Sequence, residues 1–254
     1  VSPPEFLLLL AAGIVGGLAG SVAGLASLVT YPALLAAGLP PVAANVTNTV
    51  ALVFSGVGSV LGSRPELRGQ GSRLRSLAPV AAIGGVLGAV LLLSTPPGGF
   101  QKVVPIMLGL SSLTILIPRR PPPPATAAPV VPTRRQRILE AAAILLIAVY
   151  GGYFGAAAGV LLLALLLRTT HASLARANAT KNLLLGVANT IAAVLFILLA
   201  PVNWAAAIPL GLGCLIGSRL GPIVVRRAPA QVLRYVIGAA GVALAIRLGV
   251  QAYG

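Results

Sequence analysis

Apolar residues run along this chain in long blocks, divided by a few charged or proline-rich stretches. The blocks are 6–38, 42–62, 77–95 and 103–118, then 138–167, 174–200, 203–225 and 230–250. A hydrocarbon core about 30 Å thick needs roughly 20 apolar residues to be crossed as a helix, so the pattern predicts a bundle of membrane helices. Between the two sets lies RRPPPPATAAPVVPTRRQR (119–137). Its four consecutive prolines lack N–H donors and fix φ, so it reads as an extended linker. The expected organisation is an N-terminal transmembrane repeat (1–118), a Pro/Arg-rich linker (119–137) and a C-terminal transmembrane repeat (138–254).

The two sides of the linker resemble each other. GGLAGSVAG (16–24) matches GGYFGAAAG (151–159), and ANVTNTV (44–50) matches ANATKNL (177–183). Gly84-xxx-Gly88 matches Gly213-xxx-Gly217. The order and spacing hold, as in transporters built from two repeats.

Composition narrows the class. Hydrophobic residues make up 57% of the 254, charged residues 8%, and mean hydropathy is +1.00. Soluble domains carry about 25% charged residues, and disordered chains are poor in apolar ones, so both are excluded. Eighteen basic residues face three acidic ones. That excess fits loops obeying the positive-inside rule rather than a nucleic-acid surface.

Charge also bears on topology. If every block crosses once, nine basic residues lie on one side and five on the other. If 6–38 and 138–167 are instead hairpins that enter and return, thirteen face one side, and the other keeps Lys102 and Arg247. Both blocks are long for one span and glycine-rich near the middle (Gly16, Gly17, Gly20, Gly24; Gly151, Gly152, Gly155, Gly159), which permits a turn. The expected fold is therefore an all-α integral membrane protein. It has two repeats of four hydrophobic segments, inverted, each opened by a Gly-rich re-entrant hairpin. Two long tilted helices with glycines for packing are the alternative.

Few residues can carry chemistry. The carboxylates are Glu5, Glu66 and Glu140, with no Asp, one His and one Cys. Glu140 is expected in an interfacial ion pair and Cys214 in packing. No metal-ligand set, cofactor motif or nucleophile with a base is visible, so neither a metal site nor an enzyme is expected. Lys181 is the sharpest feature. Starting the helix near Ser173 puts it about 12 Å deep at 1.5 Å per residue. A charge there costs on the order of 3 kcal/mol and calls for a partner, for which an anionic substrate is the natural choice. Snorkelling to the interface is the plainer reading. Asn178 and Asn182 share a helical face with Asn189, and Thr180 lies beside Lys181. In the first half Asn45, Thr47, Asn48 and Thr49 occupy the matching stretch. Amide and hydroxyl groups donate to oxyanions without adding charge, although interhelical hydrogen bonding is the plain reading of any single Asn. Gly20, Gly24, Gly155 and Gly159 would form the hairpin tips, whose half-helix N-termini favour anions. Tyr31 and Pro32 would end the first return arm. Together these predict a small cationic pocket near the pseudo-symmetry axis.

At these residues the sequence resembles the sulfite exporter TauE/SafE family. The resemblance rests on the paired Gly-rich segments, on PALLAAGLPPVAANVTNTVA (32–51), on HASLARANATKNLLLGVAN (171–189) and on PVNWAAAIPLGLGCLIGSRLG (201–221). Asn203-Trp204 stands where the family has Asp-Trp, and each Gly-rich segment is looser than the family's. The resemblance implies a multi-pass transporter of the plasma (inner) membrane that moves sulfite or an organosulfonate by alternating access. The alternatives are a passive anion channel and a carrier for a small carboxylate. The expected partners are a small anion and the lipid bilayer, with no nucleic acid, and a homodimer as the default assembly.

Overall fold

The computed structural model describes residues 2–116, 133–170, 172–227 and 231–253. All regular elements among them are helices. The first half contains α1 (Pro3–Ala23), α2 (Ser27–Ala36), α3 (Pro41–Gly62), α4 (Arg64–Leu67), α5 (Gly71–Ser94) and α6 (Pro97–Leu116). The second half contains α7 (Arg134–Tyr153), α8 (Ala158–Thr169), α9 (Leu174–Leu199), α10 (Trp204–Arg227) and α11 (Gln231–Tyr253). By length and composition, α1, α3, α5, α9 and most of α10 can each cross a membrane. The outward side chains fit lipid: Leu7, Leu87, Leu91, Leu146, Leu198 and Leu199 are large, apolar and exposed.

Local signals start the helices where the sequence changes character. Pro41 occupies the first turn of α3, where its missing N–H costs nothing. Thr133 and Gln136 form a reciprocal capping box at the start of α7: the Thr133 N–H donates to Gln136 Oε1 at 2.8 Å, and the Gln136 N–H to Thr133 Oγ1 at 3.3 Å. Residues 134–137, expected to end the extended linker, therefore belong to α7. Residues 117–132 of that linker, and His171, lie outside the described residues.

Each long opening block breaks into a long helix and a short one. Gly24 ends α1 at φ +79°, and Gly155 follows α7 at φ +72°. The turns thus fall at Gly24, the last glycine of its cluster, and at Gly155, while Gly16, Gly17, Gly20, Gly151 and Gly152 stay helical and Gly159 already belongs to α8. A Cβ on Gly16 would meet Thr30, and on Gly20 would meet Ala26, so α2 folds back along α1. In the second half Thr169, the last residue of α8, donates to Glu140 near the start of α7 at 2.6 Å. Tyr31 and Pro32 do not end the return arm; α2 continues through Pro32 to Ala36.

Packing is reciprocal between the halves. α10 lies on α1 and α3, and α5 lies on α7 and α9; α6 pairs with α11. Glycines set the close approaches. A Cβ on Gly13 or Gly17 would strike the backbone around Leu210 and Cys214, and one on Gly84 or Gly88 the backbone between Leu145 and Tyr153. The matched Gly-xxx-Gly pairs thus serve equivalent contacts, α10 on α1 and α5 on α7, with the partners running the same way. α3 and α9 run in opposite senses. Asn203, just past the end of α9, donates its N–H to Thr47 near the start of α3, whereas Thr180 near the start of α9 donates to Gln70 beyond the end of α3.

The basic segments gather at one end. Arg176 donates to the Arg68 carbonyl at 3.2 Å, and Arg73 is ion-paired with Glu140. Glu140 therefore pairs across to α5 rather than with the arginines of its own first turn. Toward the opposite end, an aromatic cluster joins the halves: Tyr31 and Phe100 meet Phe154 edge-on at 5.3 and 6.0 Å, and Phe100 meets Tyr153 at 5.8 Å.

Candidate anion site at the hairpin turns

The two hairpin turns touch. A Cβ on Gly24 would overlap the backbone of Gly159, and one on Gly159 would overlap Gly24. Only glycine allows this approach, and Gly24 also needs its positive φ. Beside the contact lies a small cavity of about 60 Å³. The hairpins contribute Gly20, Gly24 and Ser27 from one half and Gly155, Ala158 and Gly159 from the other. α3 contributes Thr49, Ser55 and Ser59, and α9 contributes Asn182 and Asn189. On α3 the residues recur at Thr49, Leu52, Ser55, Gly56 and Ser59, and on α9 at Asn182, Leu185, Gly186 and Asn189. Both stripes follow the spacing of one helical face. The helices cross at Gly56 and Gly186, where a Cβ added to Gly56 would lie 2.9 Å from the Gly186 Cα and one added to Gly186 3.3 Å from the Gly56 Cα.

The amino-terminal ends of α2 and α8 open onto this cavity through Ala26 and Ser27, and through Ala158 and Gly159. Helix N-termini carry free N–H groups and a partial positive charge, and so favour anions.

The carboxyl-terminal ends of α1 and α7 are held by swapped caps. Asn178 of α9 donates to the Ser21 carbonyl of α1 at 2.8 Å, and Asn182 donates to the same oxygen at 3.3 Å. Lys181 Nζ donates to the Gly20 carbonyl at 2.9 Å and to Ser21 at 3.3 Å. Asn45 of α3 donates to the Tyr153 carbonyl of α7 at 2.8 Å. Each half's long polar helix thus donates to carbonyls at the end of the other half's first helix; the Gly20 carbonyl also accepts from the Gly24 N–H within its own hairpin. Lys181 is fully buried, and an ammonium at a helix C-terminus meets the negative end of the dipole. The backbone carbonyls of Gly20 and Ser21 are among its partners.

The other candidates sort around this frame. Asn48, the repeat counterpart of Lys181, accepts from Thr30 Oγ1 at 2.5 Å and donates to Ser27 Oγ at 3.2 Å. It fixes the start of α2. Thr47 accepts from Asn203, and Thr180 donates to Gln70 at 2.9 Å. Of the sequence-predicted residues, Gly20, Gly24, Gly155, Gly159, Thr49 and Asn182 line the cavity, while Asn45, Thr47, Asn48, Asn178, Thr180 and Lys181 support the elements around it. The pocket expected to be cationic has, among the described residues that line it, no ionised side chain. Ser27, Ser55 and Ser59 line it unanticipated; the i, i+4 spacing of Ser55 and Ser59 was the available signal. Among the described residues there is no cluster of His, Cys, Asp or Glu suited to a metal.

The family model for the sulfite exporter TauE/SafE matches residues 8–248. The chain belongs to the TauE/SafE family. That family consists of membrane transporters, not enzymes, and exports sulfite and related anions. The chain is accordingly a multi-pass membrane protein that works on a small anionic substrate in a lipid bilayer. Neither a curated protein nor a solved structure matches it.

Proposed function

We propose that this TauE/SafE protein carries sulfite or a small organosulfonate across the plasma (inner) membrane, by alternating access around the cavity between its hairpin turns. The observation that carries the reading is the convergence of two half-helix N-termini on one cavity lined by hydroxyls and amides. Such a lining binds an oxyanion without a fixed cation at the wall.

Two inverted repeats (1–118 and 138–254) with re-entrant hairpins, joined by the 119–137 linker, form the working frame. The opposed course of α3 and α9, the shared course of α1 with α10 and the gathering of arginines at one end all support it. In this frame the basic end is cytoplasmic. Rocking of one repeat against the other would expose the cavity to each side in turn.

Proteoliposomes loaded with sulfite test the proposal. The expected flux saturates with concentration and is inhibited by methanesulfonate more than by acetate. Flux linear in concentration would indicate a channel, and preference for acetate a carboxylate carrier.

A further inference from the structure

The hydroxyl of Tyr31 has no partner in the fold. The residue is 1% exposed, and its hydroxyl makes no hydrogen bond. A buried phenol ordinarily finds one, because burial strips it of water without return. Packing does not demand a tyrosine at this position either. Counted from the helix starts, Tyr31 of α2 corresponds to Leu162 of α8; counted from the matched glycine segments, it corresponds to Leu166. Both are buried leucines, so the second repeat fills the equivalent place without a polar atom.

Its position lies on a way out of the cavity. α2 begins at the cavity with Ser27, and Tyr31 follows one turn later on the same face, about 6 Å further along the axis. From there the chain runs to Ala36 and on to the start of α3, at the end of the molecule away from the arginines. Tyr31 is not part of the cavity wall, but Phe154 is. Phe154 meets Tyr31 edge-on at 5.3 Å and Phe100 at 6.0 Å, and all three residues are buried. A dry wall of rings opposes an anion, as apolar constrictions do in channels. The rings come from both repeats: Tyr31 from α2 and Phe100 from α6, Phe154 from the turn between α7 and α8. A movement of one repeat against the other therefore parts them.

We infer that Phe154 is the door of the cavity toward the end opposite the arginines, and that the Tyr31 hydroxyl behind it is a second station for the oxyanion, taken up when Phe154 moves aside. This rests on the anion-site reading proposed above. A phenol donates a hydrogen bond without carrying charge. Tyr31 thus supplies a donor at the point where the rings alone would leave a passing anion with none. With the door shut the hydroxyl stays dry and unpaired, which raises the energy of the shut form; with the door open the anion pairs it. Both effects lower the barrier to passage. In the frame proposed above this end faces outside, so Tyr31 is a late contact of an exported anion.

Tyr31→Phe tests this, because it deletes one oxygen atom and keeps the ring. The full chain is reconstituted in proteoliposomes for sulfite flux and in lipid nanodiscs for titration with methanesulfonate. The variant should unfold at the wild-type temperature or above it, since the lost hydroxyl held nothing. Methanesulfonate affinity should stay within about twofold while maximal sulfite flux falls at least about tenfold, the pattern of a contact made only during passage. Phe154→Ala removes the door, and its flux per folded protein should no longer saturate with sulfite. Wild-type flux in Tyr31→Phe would overturn the station, and so would a loss of stability or of affinity in step with flux. Saturable flux at the wild-type KM in Phe154→Ala would overturn the door. Each of these results leaves the anion site standing as long as the wild type binds methanesulfonate. A folded wild type that binds no anion and moves no sulfite removes the proposed function itself.

Discussion

The side-chain amide of Asn45 lies 2.8 Å from the carbonyl oxygen of Tyr153, joining the first repeat's polar helix to the end of the second repeat's hairpin. Asn178 makes the same bond in the other direction, to Ser21. Gly24 and Gly155 cap part of each helix end within its own repeat, but the Ser21 and Tyr153 carbonyls receive side-chain donors from the other repeat. That couples the two Gly-rich turns to the relative position of the repeats, the movement that the proposed alternating access requires.

The two caps differ in redundancy, and this gives a stability prediction. The Ser21 carbonyl has Asn182 as a further donor at 3.3 Å and Lys181 at the same distance. The Tyr153 carbonyl has Asn45. Asn45→Ala should therefore cost about 1–3 kcal/mol, the range for a buried group left unpaired, and Asn178→Ala clearly less. Reversible unfolding in mixed micelles measures both. Equal losses would mean that the extra donors at Ser21 contribute nothing.

One substitution tests Lys181 both as a helix cap and as a charge beside the proposed site. Lys181→Met keeps the length and removes the charge. It should lower stability by about 1–3 kcal/mol, because the end of α1 loses an ionic donor. It should also weaken methanesulfonate binding by about tenfold, since an ammonium within a few ångströms of the cavity wall adds on the order of 1–2 kcal/mol at an intermediate dielectric. Unfolding and binding are measured on the same preparation. Lost stability with unchanged affinity would make Lys181 a helix cap alone.

Much of this arrangement could be read from the chain, and the remainder failed for definite reasons. Apolar blocks located the helices, and the repeated ANVTNTV and ANATKNL tracts located the polar helices that flank the cavity. The turns were harder to place, because glycine serves two purposes here. Gly17 lets α1 approach Cys214 of α10, whereas Gly24 supplies a left-handed backbone, and sequence does not distinguish these uses. Lys181 suggests a charged partner from sequence alone; two of its hydrogen bonds go to main-chain oxygens, which a sequence does not display. Ser55 and Ser59 show only an i, i+4 spacing in the sequence, because only the cavity reveals that their hydroxyls are unused.

Gly24 and Gly38 separate backbone strain from steric contact. Both have positive φ, +79° and +84°. Nothing lies within 4 Å of a Cβ on Gly38, whereas a Cβ on Gly24 strikes Gly159. Gly38→Ala should cost only the left-handed penalty, about 1–2 kcal/mol, and keep transport. Gly24→Ala carries the same penalty and also separates the hairpins, so transport should be lost. Sulfite flux in proteoliposomes, normalised to folded protein, decides. Equal flux in the two variants would show that the hairpin contact is dispensable.

Ser55→Ala and Ser59→Ala isolate the cavity from the fold. Neither hydroxyl holds another group of the protein, so removing either should change stability by no more than about 0.5 kcal/mol. A hydrogen bond to a charged ligand contributes about 1.5–3 kcal/mol, so each variant should raise the KM for sulfite by at least about tenfold. The double variant should do more, because the residues are one turn apart on the same face and would meet different oxygens of the anion. Maximal flux should change less than KM, since the groups that fix the hairpins remain in place. A raised KM with intact stability would locate the substrate between α3 and the turns; unchanged kinetics in both variants would move it elsewhere.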